Sequence, residues 1–266
     1  MSTLSLDTPS PGWLASVRGP LAMARLDQKL FWRNRALVVP TFLVPLALCG
    51  SVPFAVPAGS SWDGVPYRGY FLTAMVAMIA VYSTFTTIAV TLTARRDSLV
   101  LKRFRGTELS GRAILGGSVL SSYVLSGLQV ALLMGVGHFA LGVTWPARWW
   151  LLLVMLGYGT AVFAGLAIAY TALIPNAEAA QVLCIPVLFL CFACSGIFLP
   201  LSAFPGWLHL IAEGLPVTAL ADGIRMAYFG AMRTGALGRD LAVLGVWWAV
   251  GMLSARRFFR WEANGR

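Results

Sequence analysis

The chain has 266 residues, of which 58% are hydrophobic and only 11% are charged, and its mean hydropathy is +0.77. Soluble domains carry about 25% charged residues, so the composition excludes a soluble enzyme and a disordered chain and predicts an integral membrane protein. The formal net charge of +10 would suit nucleic-acid binding only if the basic residues formed one exposed face. Their distribution along the chain therefore decides what the charge means.

The segment 20–35 has the pattern of an amphipathic helix. Its apolar side chains recur at helical spacing and its basic side chains lie elsewhere on the helical wheel: Met23, Leu26, Leu30 and Phe31 against Arg25, Lys29 and Arg33. Pro20 suits the first turn of such a helix. We expect a flexible N-terminus over 1–19, followed by a helix at the membrane interface. The alternative is an inner extension of the first membrane span.

Six apolar segments follow that could cross a membrane. A spanning helix needs roughly 20 mostly apolar residues, and five stretches without Asp, Glu, Lys or Arg are longer than that. A sixth, 241–255, is shorter and is adequate only if Arg239 and Asp240 lie at one interface and Arg256 at the other. We expect an all-α bundle over 36–257 with six helices, placed near 36–56, 70–94, 114–140, 149–173, 181–199 and 238–257.

Prolines interrupt two of these spans. Pro40, Pro45 and Pro53 fall in or near the first span, and Pro186 falls in the fifth. Proline has no amide hydrogen, so each one removes a hydrogen bond from the helix. The residues permit two interpretations, a hinge used in function or a simple kink that fits a neighbouring helix.

The second span carries hydroxyl groups, among them Tyr82, Thr84, Thr87 and Thr91. Thr84, Thr87 and Thr91 fall on one helical face. In lipid, such hydroxyls bond back to their own helix or across to a neighbour. A structural role and a role in lining a substrate path both remain open for them.

The loop 95–112, RRDSLVLKRFRGTELSGR, is the densest polar cluster in the chain. Its composition predicts a short helix that begins near Asp97 and ends at Gly106. Anionic lipids attract each basic residue near the surface by about 1 kcal/mol, which explains the charge. The charge does not explain the apolar side chains of Leu99, Leu101 and Phe104, which predict contact with a protein partner.

The segment 200–235 is apolar but is divided into pieces too short to span. The dividing residues are Pro205, Glu213, Gly214, Pro216 and Asp222. We expect two short helices, about 205–213 and 218–229, with Thr218 capping the second. Non-helical backbone at membrane depth is tolerated only where protein or a water-filled cavity covers it. The segment is therefore predicted to be a re-entrant or interfacial hairpin between spans five and six, entered through the turn at Gly196 and Pro200.

Topology follows from the basic residues. With six spans and an inside N-terminus, fifteen of the twenty Lys and Arg residues fall on the inner side. This asymmetry predicts a multi-pass protein with both termini, including the tail 258–266, in the cytoplasm. The positive charge then sets topology and contacts membrane lipids, and it does not indicate nucleic-acid binding.

No catalytic or metal-binding constellation is present in the sequence. There is no GxxxxGK[ST], HExxH or GxSxG motif. His138 and His209 are far apart and are predicted to be packed, and the four cysteines are predicted to pack in apolar helices. The predicted spans also lack mid-membrane acids, which disfavours an ion-coupled transporter.

Together these features resemble the permease subunit of ABC type-2 exporters, a family that includes daunorubicin-type drug exporters and exporters of lipids and polysaccharides. The most specific part of the resemblance is Ser195–Gly230, SGIFLPLSAFPGWLHLIAEGLPVTALADGIRMAYFG. Three further features support it: FWRNR (Phe31–Arg35) leading into a proline-containing first span, the 95–112 loop, and the short last span with its basic tail. Family members often have proline near the position of Glu108, where this chain departs from the pattern.

The resemblance implies a non-catalytic subunit of an antibiotic-resistance or lipid-export system in a bacterial inner membrane. ATP and Mg²⁺ would be used by a separate ABC ATPase, present in two copies, and a second permease protomer, identical or different, would complete the path. The implied ATPase-coupling residues are Asp97, Leu99, Leu101, Lys102, Arg103, Phe104, Arg105 and Glu108. The implied interface-helix residues are Arg25, Lys29, Phe31 and Arg33, and the implied outer-gate residues are Ser195, Gly196, Pro200, Pro205, Trp207 and Pro216.

The residues and the resemblance together predict an exporter of an amphipathic or lipophilic drug, lipid or glycolipid, in a single domain over 1–266. Two alternatives remain. An ion-coupled secondary transporter would explain the spans, and an integral membrane lipid-modifying enzyme would explain the apolar composition.

Overall fold

The computed structural model describes residues 13–54, 56–57, 59–98, 111–230 and 236–258, and these form a helical bundle. A two-stranded antiparallel hairpin, β1 (Ser61–Trp62) and β2 (Val65–Pro66), precedes the longest helix. The described helices are α1 (Trp13–Arg33), α2 (Arg35–Ser51), α3 (Tyr67–Asp97), α4 (Gly111–Phe139), α5 (Trp149–Tyr170), α6 (Ala177–Ala193), α7 (Gly206–Glu213), α8 (Pro216–Phe229) and α9 (Ala236–Phe258). Short 3₁₀ turns follow α2 and precede α7.

Four of these helices are long and apolar enough to cross a membrane: α3, α4, α5 and α9. The first and fifth predicted spans correspond to α2 and α6, which are apolar but have 17 residues each. At 1.5 Å per residue, 17 residues extend about 25 Å, less than the roughly 30 Å core of a bilayer. The arrangement with six spans therefore stays a prediction.

The centre of the bundle is built on α3, α5 and α8. Glycine permits the close approach of α8 to α5, because a Cβ on Gly159 would lie 2.8 Å from Leu220 and one on Gly223 would lie 2.5 Å from Met155. A similar contact joins α5 to α9, where a Cβ on Gly251 would lie 2.9 Å from the backbone nitrogen of Leu166. Helix α8 is thus enclosed by protein along most of its length.

Helix boundaries differ from the prediction in several places. Helix α6 runs from Ala177 to Ala193 rather than over 181–199, and Asp97 ends α3 instead of beginning a short helix. Helix α1 begins at Trp13 rather than at position 20, so Pro20 lies inside the helix and not in its first turn. Helix α8 begins at Pro216 with Leu215 as its N-cap, because proline is favoured in the first turn and needs no donor partner there. Thr218, the expected cap, is buried inside the helix.

Helices α1 and α2 are separate elements. Asn34 lies between them with φ −96° and ψ 85°, outside the helical region. The chain therefore turns at this residue, and α1 is not an extension of the first span. The apolar face predicted for α1 is divided: Met23 is buried against Ile114 and Gly117 of α4, whereas Leu26 and Leu30 are exposed.

The two ends of the bundle carry different polar groups. We call the end formed by the last turn of α3, the first turns of α4 and the α5–α6 turn the loop end. The opposite end, where α7 and α8 meet α3 and α9, is the hairpin end.

Candidate functional site at the loop end and the hairpin end

An ion pair joins α1 to α3 at the loop end. Arg95, in the last turn of α3, pairs with Asp27 of α1, and its Nη1 also donates to Ser118 Oγ of α4 at 3.0 Å. Burial raises the pKa of Asp27, while the guanidinium of Arg95 opposes that shift. Three helices are therefore joined at a site where both charges are largely removed from solvent.

A second polar contact fixes α1 on α4. The Gln28 Nε2 group donates to the Ser121 carbonyl at 2.8 Å and lies 3.0 Å from Ser121 Oγ. Nearby, a Cβ on Gly117 would lie 2.5 Å from Met23 Cβ and 2.9 Å from the Pro20 carbonyl. Helix α1 thus packs against α4 through a close backbone approach as well as through its polar side chains.

Arg96 and Asp97 connect the end of α3 to the α5–α6 turn. Arg96 is buried, and its guanidinium donates to the carbonyls of Thr171 at 2.9 Å and Ile174 at 2.6 Å. Asp97 Oδ2 accepts from the backbone N–H of Ala177, the first residue of α6, at 2.6 Å. Arg96 is positively charged and lies at the C-terminus of α5, where the helix dipole is negative. Asp97 is negatively charged and lies at the N-terminus of α6, where the dipole is positive. Both contacts are therefore electrostatically favourable. We call Asp27, Gln28, Arg95, Arg96 and Asp97 the loop-end network.

At the hairpin end, one backbone carbonyl receives two donors. The Gly196 carbonyl accepts from Tyr70 Oη of α3 at 2.5 Å and from Arg225 Nη2 of α8 at 2.9 Å. Gly196 has φ +68°, a conformation that favours glycine, and it follows the end of α6. The guanidinium of Arg225 also lies 4.0 Å from the centroid of the Tyr70 ring. Three segments of the bundle therefore meet at this carbonyl.

Charged side chains surround this junction. Arg225 donates to Asp222 at 2.8 Å, Arg239 donates to Glu213 at 2.7 Å, and Arg239 also pairs with Asp240. Burial raises the pKa of Asp222 although Arg225 acts against that shift. We call Tyr70, Gly196 and these five charged residues the hairpin-end network.

Asp240 is buried although it lies in the first turns of α9. Its predicted position at a membrane interface beside Arg239 stays a prediction, but its side chain is 2% exposed, and Oδ2 has no partner among the described residues. It lies close to the start of α9, where that helix packs on α5 and α8, and packing against these helices excludes water from it. A carboxylate near the end of a helix is thus shielded from solvent by the bundle.

The coupling residues fall mostly outside the described part of the chain. Asp97 is described and holds α6, whereas Leu99, Leu101, Lys102, Arg103, Phe104, Arg105 and Glu108 lie outside the described residues. In α1, Arg25, Lys29 and Arg33 are exposed, and Phe31 contacts the rings of Trp32 and Phe42.

The hydroxyl groups of α3 have different surroundings. Thr84 is fully buried and its Oγ1 has no described partner, Thr87 and Thr91 are half-buried, and Tyr82 is exposed. The structure therefore does not place all four on one accessible face. Their role in a substrate path stays a prediction.

The residues predicted for the outer gate all lie in or next to the hairpin end. Ser195 and Pro216 are buried, Gly196 carries the shared carbonyl, and Pro200 and Pro205 precede the short helices. Trp207 is 68% exposed on α7, so it does not pack within the bundle.

His138 is packed as expected. Its ring stacks on Trp145 with centroids 4.7 Å apart, and Nδ1 lies 3.0 Å from the Val143 carbonyl. Within the described ranges no three His, Cys, Asp or Glu side chains form a group that could hold a metal ion.

Several residues of both networks were missed at the sequence level. Asp27, Gln28, Tyr70 and Arg225 were not singled out, and Arg95 and Arg96 were counted only toward topology. The available signal was the presence of Asp27 and Gln28 within the otherwise apolar and basic helix α1, since polar groups on a buried face need partners.

Residues 21–229 match the model of the ABC-2 type transporter, which is more than half of the chain. The chain belongs to the ABC-2 type transporter family. Comparison with proteins of curated function finds no match.

Membership of the ABC-2 family identifies the chain as the membrane component of an ABC transporter, which works with an ABC ATPase subunit. The matched range runs from α1 to the last residue of α8. It includes the whole loop-end network and the Gly196 junction, and it ends before α9.

Proposed function

We propose that the chain is the permease subunit of an ATP-driven exporter that moves an amphipathic or lipophilic molecule out across a bacterial inner membrane. The loop end faces the cytoplasm in this proposal, because Arg95, Arg96 and the basic residues of α1 lie there. ATP and Mg²⁺ are used by the partner ATPase, which binds the 95–112 loop.

The observation that carries this proposal is the way the loop begins. Where α3 leads into the loop, Arg95 is fixed to α1 and α4, and Arg96 and Asp97 are fixed to the α5–α6 turn. A force applied to the loop therefore reaches four helices without passing through flexible backbone. Reversing a 99:1 bias between two packings takes about 5.5 kcal/mol of differential binding, which a closing ATPase dimer would have to transmit here.

The hairpin end is proposed to be the outer gate, with α7 and α8 re-entrant in the membrane. Trp247 Nε1 donates to the Gly214 carbonyl in the α7–α8 turn at 2.8 Å. Trp247 lies eleven residues beyond Ala236, which is about 16 Å along α9 at 1.5 Å per residue. Arg239, three residues or about 5 Å along α9, also bonds Glu213 beside the same turn, so the turn would lie in the outer half of a core about 30 Å thick.

The substrate class follows from the surface of the helices. The described spanning helices expose apolar side chains over much of their length, including Leu153 of α5 and Leu253 of α9. Their charged groups are concentrated at the two ends. A path beside such helices suits a drug, lipid or glycolipid better than a highly charged polymer.

A second permease protomer is proposed to complete the path. Helices α2 and α6 are too short to span comfortably and both expose large apolar side chains, including Leu43, Val44, Phe189 and Leu190. The mass of the chain purified in detergent, measured by light scattering, tests this part. A monomeric mass in the presence of the ATPase would contradict it.

The coupling proposal is tested by the double variant Phe104→Ala/Arg105→Ala in proteoliposomes with the co-purifying ATPase. Transport is followed with a fluorescent anthracycline and an NBD-labelled phospholipid. We expect normal membrane insertion and continued ATP hydrolysis, with transport lost. The control is Phe139→Ala, which removes an exposed aromatic ring at the hairpin end.

Two results would overturn the proposal. One is normal transport by the double variant, which would show that the loop does not couple the subunits. The other is failure of any P-loop ATPase to co-purify with the intact chain. Deleting 99–106 while keeping Asp97, which the fold needs at the start of α6, should abolish co-purification.

A further inference from the structure

The two short apolar helices contain interior prolines, Pro40 and Pro45 in α2 and Pro186 in α6, and Pro45 and Pro186 lie in the second half of their helices. Proline has no N–H to donate to the carbonyl four residues earlier, which for these two prolines is that of Thr41 in α2 and of Val182 in α6. A carbonyl without a donor in lipid is costly unless a neighbouring helix supplies one.

The Thr41 carbonyl receives its donor from another helix. Gln129 of α4 donates from Nε2 to this oxygen at 2.8 Å, and the Gln129 side chain is buried. The amide group thus replaces the hydrogen bond that Pro45 cannot make. A glutamine in an otherwise apolar stretch of α4 is explained by this contact.

A related contact occurs in α6. Tyr170, the last residue of α5, donates its hydroxyl to the Leu183 carbonyl at 2.9 Å, in the turn that precedes Pro186. This carbonyl is next to that of Val182, so Tyr170 holds the interrupted turn but does not replace the hydrogen bond that Pro186 cannot make. The Tyr170 ring also packs on Phe85 of α3, with centroids 5.4 Å apart. In both short helices, a polar side chain from a longer neighbour therefore bonds the backbone just before the proline.

Helix α6 is also fixed at both of its ends. Asp97 accepts from Ala177 at the start of α6, and the Gly196 carbonyl just beyond its end binds Tyr70 and Arg225. Pro186 lies between these two attachments. A displacement that starts at the loop end must bend or shift α6 to reach the hairpin end, and the interrupted turn is where the helix resists bending least.

We propose that Gln129 and Tyr170 are positioning residues for transport, each stabilising one conformation of a proline hinge in α2 or α6. The proposal rests on the proposed function, because the hinges would move during the ATP-driven cycle. A side-chain bond suits this role, since it can be broken and remade while the rest of the helix stays intact.

The first test is a double-mutant cycle on Gln129→Leu and Pro45→Ala, measured as the midpoint of thermal unfolding of the purified chain. Gln129→Leu alone should lower the midpoint by about 2–4 °C, as expected for loss of one buried hydrogen bond in a chain of this size. Pro45→Ala supplies an N–H to the Thr41 carbonyl and should remove most of that loss. Ser126→Ala, on the same helix, is the control, because its hydroxyl bonds only its own helix at Tyr123.

The second test follows motion, using the native cysteines beyond each proline. In chains that keep only Cys49 or only Cys191, maleimide labelling is measured in the reconstituted complex with and without ATP. We expect ATP to change the labelling of both cysteines several-fold in the parent chain. Pro45→Ala should abolish the change at Cys49, and Pro186→Ala should abolish it at Cys191.

Each result decides a separate point. No rescue of Gln129→Leu by Pro45→Ala would show that Gln129 does not serve the Thr41 carbonyl, and this outcome needs no ATPase. Unchanged ATP-dependent labelling in Pro45→Ala and Pro186→Ala would overturn the hinges and leave Gln129 with a structural role alone. Tyr170→Phe should lower the unfolding midpoint as Gln129→Leu does and change the ATP-dependent labelling of Cys191, with Tyr123→Phe, an exposed tyrosine of α4, as its control. Pro186→Ala restores a donor for Val182 and not for Leu183, so it should not rescue Tyr170→Phe. Lack of ATP hydrolysis with any partner would instead contradict the proposed function.

Discussion

The loop end and the hairpin end are both held by arginine and backbone carbonyls, but they are built differently. At the loop end, Arg96 is the donor that reaches the Ile174 carbonyl and Asp97 is the acceptor for the first amide of α6, whereas the Thr171 carbonyl also accepts from the backbone N–H of Ile174. At the hairpin end, Tyr70 and Arg225 share the Gly196 carbonyl. The loop end should therefore fail when one residue is lost, whereas the hairpin end should fail only when two are lost.

This difference fits a division of mechanical roles. A site that transmits force from a partner benefits from contacts that cannot rearrange without loss of the fold. A gate benefits from shared contacts, since one donor can hold the carbonyl while the other moves. The predictions below test whether the two ends differ in this way.

The largest effect is expected from Arg96→Ala. The substitution removes the donor of the Ile174 carbonyl and one of the two donors of the Thr171 carbonyl in a buried site, and we expect a loss of about 3 kcal/mol in the free energy of unfolding. Denaturant or thermal unfolding in detergent measures this loss. Arg33→Ala, an exposed basic residue of α1, is the control and should cost less than about 0.5 kcal/mol. Equal losses in the two variants would contradict the role assigned to Arg96.

Gly117→Ala should have the next largest effect, because its Cβ would lie 2.9 Å from the Pro20 backbone and would separate α1 from α4. We expect a loss of about 2 kcal/mol, as for other overpacked contacts, together with weaker coupling of ATP hydrolysis to transport. Gly127→Ala, on the same helix with no atom within 4 Å of its Cβ, should be tolerated. If both variants behaved alike, the close approach of α1 to α4 would not matter for the loop end.

The Asp27–Arg95 pair is tested by a cycle of Asp27→Asn and Arg95→Met. The double variant should lose about 1–2 kcal/mol less than the sum of the single variants, because each single change leaves a buried charge or donor unpaired. Unfolding free energies of the four chains give the coupling, and additive losses would exclude a direct interaction.

The same cycle has a pH dependence with a definite sign. Burial raises the pKa of Asp27 above its ordinary value of 3.8. The Asp27 carboxyl of the native chain therefore stays protonated to a higher pH than that of the unfolded chain. The contribution of Asp27 protonation to the stability of the fold is fully present below pH 3.8 and is lost as pH rises through the native pKa. The coupling to Arg95 needs the carboxylate and should decrease as pH falls through that pKa.

The sequence predicts the helices of this fold better than it predicts their contacts. Apolar stretches between charges place α3, α4 and α5, and Pro205, Gly214 and Pro216 divide α7 from α8 to within two residues. The pairing of Arg95 with Asp27 could not be predicted in the same way. The two residues are 68 positions apart, and a basic residue at the cytoplasmic end of a helix is already explained by the positive-inside rule. Gln129, which was not singled out from the sequence, offered a clearer signal, since a buried amide in lipid must find a partner.

The smallest single effects are expected at the Gly196 carbonyl. Tyr70→Phe removes one of its two donors, and because Arg225 remains, the loss should be about 1 kcal/mol or less. Arg225→Gln should also leave the carbonyl bonded, through Tyr70. The double variant leaves it without either donor in a buried turn and should lose more than the sum of the single variants. The expected excess is about 1 kcal/mol, within the range measured for residues that share a partner.

Maleimide labelling of Cys194, two residues before Gly196, reports whether the hairpin end has opened, in a chain where the other three cysteines are replaced. Labelling should change little in either single variant and increase strongly in the double variant. Additive changes would mean that the two donors act independently, and the hairpin end would then be built like the loop end. A strong increase in Cys194 labelling in Tyr70→Phe alone would show that Tyr70 of α3 keeps the hairpin end closed. The bond from Arg225 of α8 would then be insufficient to hold the Gly196 turn.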